Sequence, residues 1–247
     1  MSLIQSLEWG IEIPAGNKPG LLPINKYGYD ADSDAADETI TTIGNITVPT
    51  AARIHAIDSS QSADIGDAQI YGVDGSYNYV SAGEPVDVNG TTGNNTTVSY
   101  LDIFRMRYKG HSGATNVGNI FAIAAVDGTE TARIPGAAGQ TQRAMMLIPD
   151  TVDGVQVNGA YMTNFKGAFS KIAGVPEVKV QLWVFPFGEC WQAKEALTLS
   201  TENKSDEHWY SPSRAIAPKS WVKLTANSTV ANQEIWGSFD IVIDYRV

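Results

Sequence analysis

The stretch Ser99-Tyr-Leu-Asp-Ile-Phe-Arg-Met-Arg-Tyr108 sets the fold class. Tyr100, Asp102, Phe104, Met106 and Tyr108 fall on one side, and Leu101, Ile103, Arg105 and Arg107 on the other. That is the period of two of a β-strand, whose side chains point to alternate faces. Reading outward, the same grammar recurs in both directions. Short β-branched runs alternate with Gly, Asn, Asp and Pro punctuation, and long helix-period stretches are absent. This is the pattern of an all-β sandwich or barrel.

Upstream lie Thr41–Val48, Ala52–Ile57, Ala68–Val73, Tyr77–Val80 and Glu84–Val88. The dipeptides Asp74-Gly75 and Asn89-Gly90 mark hairpin turns. Downstream, Val117–Ala124 and Thr131–Pro135 complete a first set of strands. A second set follows the Pro- and Gly-rich link after Ile134: Arg143–Ile148, Gly154–Thr163, Val178–Val184, Trp191–Leu199, Ser220–Ala226 and Glu234–Tyr245. The expected fold is all-β: two tandem β-sandwich domains of jelly-roll or Ig-like type, 41–134 and 135–247, preceded by an extended N-terminal arm over 1–40.

The arm differs in composition. Pro14, Gly16, Pro19, Gly20 and Pro23 break regular elements, and Asp30, Asp32, Asp34, Asp37 and Glu38 form an acidic run. The arm also carries Trp9, Ile11, Ile13, Leu21 and Leu22. Such apolar surface in a segment too short for its own core is expected to dock, and these five residues are the predicted interface. The rival expectation is that the arm packs along its own sandwich and covers an edge strand.

Composition narrows the function classes. With 17 Lys and Arg against 27 Asp and Glu, the net charge is −10, which disfavours nucleic acid as a partner. No apolar run approaches the roughly 20 residues needed to span a bilayer, and Met1–Trp9 lacks the basic and apolar regions of a signal peptide. The single cysteine, Cys190, excludes an internal disulfide and reads as an inert, partly buried thiol.

Candidate chemistry is sparse. His55, His111 and His208 have no metal-site spacing. Asp30-Ala-Asp-Ser-Asp34 opens like a calcium loop, but Ala35 and Thr41 stand where an EF-hand needs Gly and Glu. No phosphate-binding loop or nucleophile elbow occurs. No catalytic residue, cofactor or metal is therefore expected. Trp183, Phe185, Phe187, Trp191, Trp209, Tyr210, Trp221 and Trp236 gather late in the chain. Buried, they are core; exposed, they would stack on sugars, which keeps a carbohydrate-binding module or glycosidase as an alternative.

Four stretches resemble the virion structural proteins of tailed bacteriophages: Val73-Asp-Gly-Ser-Tyr-Asn78, Asn116-Val-Gly-Asn-Ile120, Ala132-Arg-Ile-Pro-Gly-Ala-Ala-Gly-Gln-Thr141 and Val184-Phe-Pro-Phe-Gly188. The resemblance spans roughly 40–247, leaves the arm uncovered, and carries over no catalytic residue. Gly136-Ala-Ala-Gly139 departs slightly from the Ala-Gly-x-Gly form of the link in those proteins. The resemblance implies a non-enzymatic structural protein of the virion, assembled in the host cytoplasm. Its expected partners are other capsid or tail subunits and further copies of itself, with no membrane. Decoration or cementing of the head leads; a tail, baseplate or fibre-adaptor component and a double-barrel capsid shell protein are the alternatives.

Overall fold

The computed structural model describes residues 18–247 except 45, 47, 112, 171–173 and 175. The described residues are all-β, with no helix. The strands are β1 (Leu21–Ser33), β2 (Glu38–Thr39), β3 (His55–Ser59), β4 (Ile65–Asp74), β5 (Asn78–Tyr79), β6 (Glu84–Asn89), β7 (Asn94–Asn95), β8 (Tyr100–Gly110), β9 (Ile120–Ala124) and β10 (Glu130–Ile134). They continue as β11 (Met145–Leu147), β12 (Thr151–Val152), β13 (Val155–Gln156), β14 (Gly159–Ser170), β15 (Val178–Phe185), β16 (Gln192–Leu199), β17 (Ser205–Ile216), β18 (Trp221–Ser228) and β19 (Gln233–Asp244).

Four sheets form two bodies. In the first, the sheet β10-β9-β3-β7 faces the sheet β13-β12-β5-β4-β6, to which β8 is added along β4. Between them lie Ile57, Ala68, Ile70, Met106, Ile120 and Ile134. In the second, β1-β19-β14-β17 faces β11-β18-β15-β16, with β2 also on β18. This core holds Phe165, Val180, Leu182, Leu224, Phe239 and Ile241.

The bodies are nested rather than consecutive. The expected arm divides: residues 1–17, with Trp9, Ile11 and Ile13, lie outside the described residues, whereas Leu21–Ser33 is a strand. Leu21 and Leu22 pair with Asp244 and Ile243 of β19, and Glu38 and Thr39 pair with Ala226 and Thr225 of β18. Both N-terminal strands therefore belong to the second body. Pro23 is tolerated in β1 because β1 is an edge strand. Conversely, β12 pairs with β5 of the first body, so strand pairing crosses the expected boundary near Ile134-Pro135.

Three glycines set the spacing of the second sandwich. Gly28, Gly237 and Gly167 stand in one row across β1, β19 and β14. A Cβ on Gly28 would lie 2.1 Å from the Ile40 carbonyl oxygen and 2.5 Å from the Ala144 nitrogen. Those two atoms are themselves hydrogen-bonded at 2.9 Å. On Gly237 a Cβ would meet the Ile40 Cδ1 at 2.5 Å, and on Gly167 the Val180 Cγ2 at 2.8 Å. The row lets the facing layer approach more closely than any side chain allows.

Strand β8 joins the two cores. Its alternation is interrupted twice: Tyr71 pairs with Arg105 but Gly72 with Ile103, and Val73 pairs with Asp102 but Asp74 with Tyr100. The two residues skipped are Phe104 and Leu101. Each bulge inserts one extra residue and re-aims it. Tyr100, Ile103 and Met106 enter the first core, while Leu101 and Phe104 enter the second. The strict alternation expected from the sequence therefore fails at two defined positions.

Between the bulges stands Asp102, 3% exposed. Its Oδ1 is 2.9 Å from Nη1 of the equally buried Arg143, and its Oδ2 accepts the Leu147 N–H at 2.7 Å. Arg143 Nη1 also donates to the Ile103 carbonyl at 2.8 Å. Lys26 of β1 reaches the same place, donating to the Phe104 carbonyl. Burial pulls the Lys26 ammonium well below its usual value, and Arg143 and Arg105 add to this against Asp102.

Two predictions follow from this packing. Gly28→Ala places its methyl against backbone and should cost about 3 kcal/mol, whereas Gly237→Ala meets only a side-chain end and should cost about 1; urea unfolding of the two variants reads the order. Asp102→Asn leaves the buried Arg143 guanidinium uncompensated and should destabilise by about 3–5 kcal/mol. Lys26→Met, which removes an amine whose charged form burial disfavours, should cost far less in the same assay.

Candidate functional site

The four loop stretches singled out in the sequence meet in pairs. Asn116, 1% exposed, brackets two of them. Its Nδ2 donates to the Gly118 and Pro135 carbonyls at 2.6 and 2.7 Å, and its Oδ1 accepts the Gly139 N–H at 2.9 Å. Asn119 Oδ1 accepts the Gly136 N–H at 3.0 Å. From the other side, buried Asp64 accepts the N–H groups of Val117 and Gly118 and the Ser59 hydroxyl at 2.6–2.9 Å. One carboxylate and two amides thus hold the Asn116–Ile120 loop against the Ile134–Thr141 link.

The other two stretches meet where the bodies touch. The Asp74 carboxylate accepts the Ser76 and Asn78 N–H groups, and the Tyr77 N–H donates to the Asp74 carbonyl at 3.0 Å. The left-handed residue of this turn is Tyr77, with φ 62°, and not Gly75. Sequence reading placed the turn but missed the strain, which costs an L-residue about 1–2 kcal/mol. Packing holds it. The Tyr77 ring meets Phe187 edge-on at 5.8 Å, and the Lys219 Nζ stands 5.3 Å over Tyr77 and 5.8 Å over Phe187. Lys219, itself at φ 62°, pairs with Asp150 Oδ2 at 3.0 Å. Burial raises the Asp150 carboxyl, but Lys219 and Gln156 together hold it below its usual value.

Beside this corner the outer face of β15 and β18 is half covered. Opposed residues of antiparallel strands share a face. Met145, Leu147, Trp221 and Lys223 therefore lie on the same side as Trp183 and Phe185. Toward β11, Met145, Leu147 and Trp221 are buried. Toward β16, Trp183, Phe185 and Trp191 are only half-buried, and Phe187 is 63% exposed. Phe185 and Trp191 are in ring contact at 5.3 Å, the Trp183 Nε1 donates to the Thr225 hydroxyl at 2.9 Å, and the Lys223 Nζ stands 4.6 Å over Trp191. This aromatic face with its lysines is the candidate site: apolar, rigid and cationic, suited to binding and without a nucleophile–base arrangement.

The structure distributes the other sequence candidates. Trp209 is exposed on the edge strand β17, and Trp236 meets Tyr29 in a tilted ring contact at 5.5 Å. Cys190 is exposed, contrary to expectation, because the turn after Phe187 carries it into solvent. The acidic run disperses rather than forming a cation loop. Asp30 points inward from β1, Asp34 accepts the Ala36 N–H, and Asp37 accepts from Asn227 at 2.9 Å. Among the described residues, no group of three His, Cys, Asp or Glu could hold a metal ion. The aromatic face assembles five of the eight late aromatics (Trp183, Phe185, Phe187, Trp191 and Trp221), but its lysines and Tyr77 were missed because they come from distant segments.

No family model and no curated protein matches the chain. Among solved structures it is similar to the Gt strain of infectious bursal disease virus, at 10% identity over 91% of this chain and 72% of that chain, with a TM-score of 0.25. It is also similar to the VP2 subviral particle of that virus, at 7% identity over the same shares, with a TM-score of 0.23. Scores at this level carry no argument about fold or function.

Two buried titratable groups act oppositely with pH. Burial pushes the Asp30 carboxyl up to about 7, helped by Glu38 against the Asp32 N–H. Folded Asp30 thus binds its proton more tightly than its ordinary 3.8, so its contribution falls as pH rises from about 4 to about 7. Burial pulls His55 down to about 4 from 6.5, so its contribution rises as pH rises through that window. Relative to wild type, Asp30→Asn should make stability climb more steeply between pH 4 and 6.5, and His55→Leu should make it climb less. The limiting change is about 1.4 kcal/mol per pH unit, read by urea unfolding across the window; equal slopes in all three proteins would refute both assignments.

Proposed function

We propose that the chain is a non-enzymatic structural protein of a virus particle, and more finely a head-decoration or cement protein of a tailed bacteriophage. One observation carries the reading. Four stretches resemble tailed-phage virion proteins in sequence pattern, and residues within them act as fasteners in this fold: Asn116 holds its loop to the link, and Tyr77 and Phe187 join the two bodies. Residues whose work is to fasten loops and bodies support an architectural function.

The mechanism is added interface. A rigid double sandwich bridges neighbouring capsomers and resists the outward pressure of packaged, self-repelling DNA. The net charge of −10 suits a position away from that DNA, since like charge repels it. Within this reading residues 1–17 are an assembly arm, reaching from one chain to the next. Trp9, Ile11 and Ile13 are its anchors, whereas Leu21 and Leu22 pair with the chain's own β19.

Purified full-length protein added to heads that lack it should bind at a fixed number of copies per capsomer, and a cryo-EM map of those heads should show it on the outer surface. Protein lacking residues 1–17 should bind at least about tenfold more weakly, as expected when buried aromatic anchors are lost. Density only on the tail, or none on the particle, would overturn the head-decoration reading.

A further inference from the structure

The aromatic face of β15 and β18 has an unmet need. Lys223 is half-buried between Trp183, its partner across the strands, and Trp191. Among the described residues no carboxylate forms an ion pair with it. Asp37, the one carboxylate that acts on it, is engaged by Asn227 and Thr225. Burial lowers the Lys223 ammonium from its usual value. A partly desolvated cation on a half-open aromatic face is half of a binding site. The missing half must be apolar and carry acids.

Residues 8–13 have that chemistry: Glu8-Trp-Gly-Ile-Glu-Ile13. Each acid adjoins an apolar side chain, so a chain pressed onto the aromatics brings carboxylates within reach of the flexible lysine stems at the rim. Position fits as well. Leu21 pairs with Asp244, Asp244 with Gly159, and Ala160 with Ile216. Lys219 follows Ile216 and precedes Trp221, which pairs with Phe185. The root of the N-terminal segment and the Phe187 turn thus share one end of the second body. Seventeen extended residues span up to about 60 Å, enough to cross to a neighbouring molecule.

We propose that the face formed by Trp183, Phe185, Trp191, Phe187 and Lys223 receives residues 8–13 of a second copy of this chain, with the carboxylates of Glu8 and Glu12 pairing to Lys223. This rests on the reading of residues 1–17 as an assembly arm and names the surface the arm seeks. Sequential docking of this kind is head-to-tail, and links copies in a ring or a row.

Charge reversal in the full-length chain tests it. By light scattering across micromolar concentrations, wild type should self-associate. Lys223→Glu and the double variant Glu8→Lys/Glu12→Lys should each weaken association by about tenfold or more, and the three changes combined should restore a large part of it. The double variant leaves the face untouched, so its loss cannot come from misfolding there. Cys190, the sole cysteine, sits beside Trp191 and is exposed. Gly10→Cys should therefore form a disulfide with Cys190 of another copy, seen as covalent dimers and longer ladders on a non-reducing gel. A bridge within one chain overturns the second-copy assignment, and so does a wild type that stays monomeric. Undiminished association in Lys223→Glu overturns the choice of face. Undiminished association after deletion of residues 1–17 instead overturns the reading of that segment as an arm.

Discussion

The buried pair of Asp102 and Arg143, set between two bulges of one strand, is the constraint on which the rest of the molecule depends. β8 cannot serve two cores with regular alternation, since Leu101 and Phe104 would then turn to the wrong sides. The bulges redirect them, and they also free backbone groups that need partners. Arg143 and Lys26 answer the carbonyls of Ile103 and Phe104, and Asp102 answers both the Leu147 N–H and the charge of Arg143. Buried ion pairs are weak sources of net stability. This one fixes register: it ties β1, β8 and the approach to β11 to one point, so that the two sandwiches meet in one way.

From that point the other features are arranged outward. Packing of the first body on the β11 side of the outer face covers Leu147 and Trp221 and leaves Trp183, Phe185 and Trp191 half open. The same meeting brings the Tyr77 turn to the Phe187 turn and makes room for Lys219 between them. The left-handed backbone at Tyr77 and Lys219 persists because packing on both sides holds it. The aromatic face is therefore a by-product of how the bodies dock, and it inherits their rigidity.

The sequence made local matters legible and distant ones obscure. Alternation and turn residues identified the all-β class and most strands, because period and punctuation are properties of neighbours along the chain; β17 (Ser205–Ile216) was missed, and the expected strand Thr41–Val48 is not one among the described residues. Nothing local shows that Leu21 lies beside Asp244, so Leu21–Ser33 read as part of an arm. Its breakers, Pro19, Gly20 and Pro23, stand only at its mouth. The acidic spacing of Asp30 to Asp34 suggested a cation loop, but strand geometry turned Asp30 inward alone. The late aromatics were visible as a cluster. Which of them are open was not, since that depends on the first body covering Trp221 and sparing Trp183.

The nesting of the bodies has a consequence for how the chain is made. Every strand from β3 to β10 lies between β2 and β11, so the core of the first body needs only what is synthesised in the middle. β1 must wait for β19, and until then its inward face, with Ile24 and Lys26, has no sheet to join. Domains tend to close as units while the chain emerges from the ribosome, and long-range pairings are the slow ones. The early strands are thus held as an unpaired edge through most of translation. The acids that follow, Asp30 to Glu38, are the kind of charge that keeps such an edge from pairing with a stranger.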